Sequence, residues 1–250
     1  WDNGKLNEVK TKKNFFKCVN GKPILIDFSQ SIIKEDWFQN TEENVSIIGK
    51  RTHFLRKIKN LITGSDRNTL KSINIFKKNL PKSPKILLIG SGSIGMGLND
   101  LYNDKSINLI AFDIYPNDKI QFIADGCNIP LKDSSVDRVI IQAVLEHVID
   151  PKIVAAEIYR VLKKDGVVYA ETPFLQESHE EPYDFTRFTE LGHRWLFKNF
   201  EEVYRKVNGG PGLTLYWSIR SLLRSIIGNK FITNFISLPF ILFSLIDYLI

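Results

Sequence analysis

Lys85-Ile86-Leu87-Leu88-Ile89-Gly90-Ser91-Gly92-Ser93-Ile94-Gly95 is the stretch whose reading decides the fold. Its apolar run has strand length and no polar alternation, so it predicts a strand buried on both faces. The glycines then let the backbone turn sharply, and the pattern predicts a helix from the turn through about Tyr102. Downstream, apolar runs at Asn108–Ile114, Ile120–Asp125, Val136–Gln142 and Gly166–Thr172 read as further strands. Helices are expected at Pro151–Leu162, with Pro in its first turn, and at Thr189–Phe200, and a late strand at Glu202–Val207. Short apolar strands alternating with helices mean an α/β fold, a doubly wound parallel sheet with helices on both faces.

Upstream the pattern differs. Residues 1–45 read as a small turn-rich module, with a turn at Gly21-Lys22-Pro23 and a short strand at Ile24-Leu25-Ile26. Ile47, Ile48, Phe54, Leu55, Ile58, Leu61 and Ile62 have helical spacing, with Lys50, His53, Arg56, Lys57 and Lys59 opposite. A second helix over Arg67–Leu80 completes a helical extension, 46–84, ahead of a domain at 85–212. In the tail, 213–250, Ile219, Leu222, Leu223, Ile226 and Ile227 share a helical face beside Arg220, Arg224 and Lys230. Phe231–Ile246 is uncharged, shorter than the roughly 20 apolar residues of a span, and interrupted by Pro239. It reads as a buried packing helix or as an interfacial one facing anionic headgroups. Both ends, Trp1 and Ile250, read as cut, so a fragment or processed chain is expected.

The net charge of +6 over 250 residues suggests nucleic acid only until it is divided. Residues 1–85 hold 18 Lys/Arg against 8 Asp/Glu, whereas residues 86–180 hold 8 against 14. The basic part contains no nucleic-acid module, so no nucleic acid is expected. Two cysteines, Cys18 and Cys127, make neither a disulfide framework nor a four-ligand zinc site. No metal is expected.

Gly90, Ser91, Gly92 and Gly95 form a G-x-G-x-x-G turn in the strand-to-helix context that makes the pattern a nucleotide-site candidate. Asp113 ends the second strand, where a carboxylate accepts hydrogen bonds from ribose hydroxyls. It points to an adenosine ligand without distinguishing which one. Asp125 ends the third strand, where a carboxylate can accept from an adenine amino group. The acidic surroundings tolerate a sulfonium better than a pyrophosphate, which favours S-adenosylmethionine over NAD.

Residues 85–217 resemble class I S-adenosylmethionine-dependent methyltransferases, of the methyltransferase type 11-like bacterial subgroup. The resemblance lies in Ile89-Gly90-Ser91-Gly92, Phe112-Asp113-Ile114, Ala124-Asp125-Gly126, Gln142-Ala143-Val144-Leu145-Glu146-His147-Val148, Glu157–Gly166 and Glu171-Thr172-Pro173-Phe174. Asp165 departs from it, standing where such proteins usually have Pro or Gly. The resemblance implies a Rossmann-like, seven-stranded, mostly parallel sheet and methyl transfer from S-adenosylmethionine. It implies a cofactor site of Gly90, Ser91, Gly92, Gly95, Asp113, Ile114, Asp125, Gly126 and Gln142. A narrower likeness, in His179–Thr189 and Gly209-Gly210-Pro211-Gly212, is to proteins of surface-glycan or lipid-linked pathways. Asn20–Asp27 resembles the end of a zinc-ribbon module without its upstream cysteine pair.

A protonated acceptor would need a base, and His147 and His179 are the candidates. Asp184 and Arg187 either orient an acceptor anion or form an internal ion pair that pins their loop. The expected acceptor is a small glycan-linked or lipid-linked molecule. The expected location is cytoplasmic, in contact with the inner face of a membrane through the C-terminal apolar helices. Two rivals share the fold. One is a non-catalytic S-adenosylmethionine-binding or scaffold protein. The other is an NAD-dependent oxidoreductase, disfavoured by Asp125 and the Leu145-Glu146-His147 context.

Overall fold

The computed structural model describes residues 7–10, 15–40, 65–92, 94–179 and 182–248. Its centre is a parallel sheet of β4 (Lys85–Ile89), β5 (Asn108–Asp113), β6 (Phe122–Ile123), β7 (Val136–Gln142) and β8 (Leu162–Glu171). The strand order is β6-β5-β4-β7-β8, every pairing parallel. The chain therefore winds outward from β4, returns to its other side at β7, and leaves a crevice where the order reverses. Such a switch point is where open α/β sheets bind ligands.

Alternation along β4 explains the two layers. Leu87 and Ile89 join Phe112, Val139 and Ile141 on one face, covered by Val154, Ile158 and Val161 of α3 (Pro151–Val161). Ile86 and Leu88 join Ala111 and Ile140 on the other. That face is covered by Ile73 and Phe76 of α1 (Ser65–Phe76) and by Leu101 of α2 (Asn99–Asn103). Pro151 opens α3, and the Asp150 carboxylate caps it by accepting from Lys152 N at 3.0 Å. Asp165 stands at φ 63, a conformation open to Gly at no cost and tolerated by Asp, which accounts for the departure noted there.

Four expectations change. The glycine turn does not run straight into a helix, because Gly97 at φ 76 and a Leu98 N to Gly95 O bond hold a turn, and α2 begins at Asn99. The main sheet has five strands among the described residues, not seven. Residues 202–207 pair with no strand there, because ion pairs bind them elsewhere. Glu202 meets Arg194 at 2.9 Å, and Arg205 pairs with Glu190, drawing the segment to α4 (Glu190–Leu196). A cleft of about 2750 Å³ separates β8 from this segment. The predicted strand at Ile24–Ile26 reduces to one parallel bridge, Ile24 to Ile123. The predicted helix at 46–62 lies outside the described residues.

The N-terminal part forms a small antiparallel sheet, β1 (Asn7–Lys10), β2 (Phe15–Val19) and β3 (Lys22–Pro23), followed by a 3-10 turn at Glu35–Asn40. It shares a core with the edge of the main sheet. Val19, Ile24, Ile26, Ile33 and Phe38 pack with Ile120 and Ile123.

No helix links β6 to β7, and α3 satisfies the linker instead. Ile129 N donates to Glu157 Oε2 at 2.8 Å, and Arg160 donates to the carbonyls of Ile129 and Leu131 and to Glu157. Burial raises the Glu157 carboxyl, but Arg160 and the Ile129 N–H more than offset it and hold it below its ordinary 4.5. A depressed carboxyl stabilises the fold above its unfolded value and loses that contribution as pH falls. Thermal stability is expected to drop as pH falls below about 4.5. Glu157→Gln should flatten that part of a melting profile recorded from pH 6 to pH 3 (roughly the carboxylate range). A profile unchanged in the variant would refute the assignment.

Candidate active site

The glycine turn lies against β5. Gly90 N and Ser91 N both donate to Phe112 O, at 3.0 and 3.3 Å. A Cβ on Gly90 would lie 2.1 Å from Val144 Cγ2, and one on Gly95 would lie 2.0 Å from Gln142 Oε1. Gly92 faces Asp113, whose Oδ2 would lie 3.3 Å from an added Cβ. The turn is thus a cradle that side chains would fill, with a buried carboxylate beside it.

Asp113 Oδ1 accepts from Tyr115 N at 2.9 Å, which fixes the carboxylate at the strand end. Asp125 is also buried; Oδ1 accepts from Cys127 N at 2.9 Å and Oδ2 from Ser31 Oγ at 2.5 Å. Ile114 packs into the cluster shared with the N-terminal segment, and Trp37 of that segment lies 5.4 Å from the Tyr115 ring. Sequence reasoning missed Ser31 and Trp37, which reach the site only through the N-terminal packing. Gly126 would tolerate a Cβ at ordinary contact with Val154. Gln142 bridges the crevice, donating to Glu171 Oε2 at 2.8 Å and to Met96 O at 3.5 Å. Burial, and then the charge of Asp125, push the Cys127 thiol up to about 12, which removes it as a nucleophile.

Across the crevice, Ala143 at φ 54 turns the chain out of β7 into a 3-10 turn at Leu145–His147. Glu146 is fully buried there, and its Oε1 lies 3.8 Å from His147 Nε2. His147 Nδ1 meets the Tyr183 carbonyl at 2.5 Å. The structure brings His179 to this place: the two imidazole rings stand edge-to-face with centroids 5.0 Å apart. The loop carrying His179 is bonded to the turn, since Phe185 N and Thr186 N donate to Glu146 O at 2.8 and 3.2 Å. Glu146, unassigned from the sequence, is the group that unites the two histidines.

Arg187 takes the internal role of the two open to it. Nε donates to Gln176 O and Nη1 to Thr186 O and Asp184 Oδ1. Nη2 donates to Glu177 O and Asp184 Oδ2. All five donors are spent within the loop, so none is left for an acceptor anion. The Arg187 guanidinium also holds the Asp184 carboxyl well below the usual range.

A Rossmann-like α/β domain with a glycine cradle, two acids at adjacent strand ends and a polar cluster across the switch point has the layout of a nucleotide-cofactor site. Residues 87–170, from β4 to β8, match the family model of the methyltransferase domain. The match supports a methyltransferase domain over this stretch, with S-adenosylmethionine as its cofactor. A comparison with curated protein sequences gives no match.

Solved structures of similar chains carry related descriptions. One, from Galdieria sulphuraria, is provisionally named a sarcosine dimethylglycine methyltransferase. It is 18% identical, with 71% of this chain and 78% of that chain covered and a TM-score of 0.47. Another comes from the complex of the Haloferax volcanii Trm112 methyltransferase activator with a provisionally assigned methyltransferase. It is 24% identical, covering 54% and 68%, with a TM-score of 0.43. A third is Haemonchus contortus phosphoethanolamine N-methyltransferase 2 in complex with S-adenosylmethionine, 16% identical, covering 53% and 36%, with a TM-score of 0.39.

Proposed function

We propose that this methyltransferase acts on a hydroxyl of a glycan-linked or lipid-linked small molecule, working in the cytoplasm at the inner face of a membrane. The observation that carries the reading is the Glu146–His147–His179 cluster beside the end of β7. The cofactor supplies an already activated methyl group, so the protein mainly provides alignment and proximity. A hydroxyl, unlike a neutral amine, must also lose a proton, and this cluster is where that happens. Gly90, Ser91, Gly92 and Gly95 take the amino-acid end of the cofactor. Asp113 takes the ribose, Asp125 and Ile114 the adenine side, and Gln142 holds the turn in place.

The tail supports the location. Asp247 accepts from Gly210 N, Gly212 N and Leu213 N at 2.7–3.0 Å, capping α5 (Pro211–Ile227) and folding the last segment onto it. Lys230–Asp247 is long and apolar enough to cross a membrane by length and composition. The segment buries Ile241 against α5, yet it leaves Phe231 82% and Phe235 74% exposed, and Ile226 at the end of α5 is 73% exposed, an apolar surface suited to an interface. Arg224 and Lys230 are exposed beside these side chains, and each basic group near anionic lipid adds about 1 kcal/mol.

One experiment tests both parts. The protein is incubated with methyl-labelled S-adenosylmethionine and vesicles of phosphatidylglycerol and phosphatidylcholine carrying a glycolipid extract, then floated. Label is expected in alkali-stable ethers of the extract, and protein in the floating fraction. With phosphatidylcholine alone, or with Phe231→Asp/Phe235→Asp, the protein should stay at the bottom. Cofactor binding without label transfer would favour the scaffold reading, and failure to float would end the membrane assignment.

A further inference from the structure

We propose that Glu146, His147 and His179 hold a divalent transition-metal ion of the zinc type, and that this ion binds the acceptor hydroxyl. The inference rests on the methyltransferase reading above and deepens it.

The donor set is the first ground. One carboxylate oxygen and one ring nitrogen from each histidine lie within 4.8 Å of one another. Zinc–ligand bonds of about 2.0–2.1 Å put tetrahedral neighbours roughly 3.4 Å apart. The 3.8 Å between Glu146 Oε1 and His147 Nε2 is already near that spacing. Two imidazoles and one carboxylate leave coordination positions open, as catalytic rather than structural sites do.

The second ground is what orients the imidazoles. A ligating histidine characteristically donates its other ring N–H to a carbonyl or carboxylate. His147 Nδ1 faces Tyr183 O at 2.5 Å and His179 Nδ1 faces Glu177 O at 3.0 Å. Arg187 Nη2 also lies 3.3 Å from His179 Nδ1, but its two hydrogens go to Glu177 O and Asp184 Oδ2. His179 Nδ1 is therefore the donor to Glu177 O, which leaves Nε2 as the nitrogen His179 turns to the cluster.

Charge is the third ground. Arg187, beside the cluster, feels the charge of both Asp184 and Glu146. Arg187 is matched by Asp184 in a paired fork. Glu146 is itself fully buried, and a carboxylate held there favours a cation close to it. The turn and the loop are already bonded through Glu146 O, so the ligands are held before any ion arrives.

A coordinated hydroxyl ionises far more readily than a free one. The acceptor O–H breaks and its proton passes to water. The oxygen forms the new O–C bond as the methyl C–S bond breaks, and the electron pair stays on sulfur to give the neutral thioether. Adjacent open positions suit a hydroxyl with a second oxygen next to it, so the acceptor class is a vicinal diol such as a sugar ring presents.

The test uses the full chain, freed of metal with a chelator and dialysed, then titrated with Co²⁺ alone. One saturating equivalent with visible d–d absorption is expected, displaced by Zn²⁺. His179→Ala should weaken Co²⁺ binding at least about a hundredfold, since loss even of an outer-shell partner costs 10–100-fold. Its S-adenosylmethionine affinity by calorimetry should be unchanged. His179 is on a loop, so this variant carries the test even if the buried Glu146→Gln does not fold. Absence of saturable Co²⁺ binding, or equal binding by His179→Ala, would overturn the metal site. Cofactor binding measured on the same samples judges the methyltransferase reading separately.

Discussion

Replacing Asp113 by Ala is expected to weaken S-adenosylmethionine binding at least about a hundredfold, leaving a folded protein. Hydrogen bonds to a charged group contribute about 1.5–3 kcal/mol each, and a ribose presents two hydroxyls to this carboxylate. Losing both costs about 3–6 kcal/mol before compensation by water, and every 1.4 kcal/mol is tenfold in affinity. Asp113 is buried at the end of β5, beside the glycine cradle, so water replaces its carboxylate poorly. In the fold the variant gives up the bond from Tyr115 N, at 2.9 Å. Calorimetry with the cofactor, alongside far-ultraviolet circular dichroism, separates binding from folding. An unchanged affinity in a folded variant would remove Asp113 from the site.

Gly90→Ala is expected to abolish methyl transfer and to lower the melting temperature by about 5–15 °C. Two costs add at this position. Gly90 stands at φ 78, where an alanine pays about 1–2 kcal/mol. The new Cβ would also lie 2.1 Å from Val144 Cγ2, and overpacking costs about 1–3 kcal/mol more. For a chain of this size each kcal/mol shifts the midpoint by roughly 2–4 °C. Val144 is β-branched and stiff, so it cannot swing aside without moving its backbone. It leads directly into the Leu145–His147 turn, so the displacement reaches Glu146 and His147. Val144→Ala in the same chain should restore the steric part of the stability and leave the conformational part lost. Strict additivity of the two changes in a double-mutant cycle would refute the clash.

These two residues were legible because their signals are local. A buried strand, a glycine turn and an acid at a strand end are written in short runs of sequence, and the main-chain hydrogen bonds of a parallel sheet follow from them. Val136–Gln142 was read with the limits it has because its centre, Val139-Ile140-Ile141, is apolar on both faces and fits only between two helical layers. The tail was half legible. Its apolar content was plain, but only the packing of Asp247 and Ile241 on α5 shows that it folds back and leaves Phe231 and Phe235 outward.

The sequence alone determined the α/β class, the glycine turn after β4 and the acids at adjacent strand ends, because hydrophobic period and glycine geometry act over a few residues. The tertiary structure alone decided the rest. It put Ser31 on Asp125, tied residues 202–207 to α4 instead of the sheet, spent Arg187 inside its own loop, and brought His179 against Glu146 and His147. Each of these depends on side-chain direction and packing between distant segments. No local pattern encodes that, because the partner of a buried charge is settled by whichever chain folds over it.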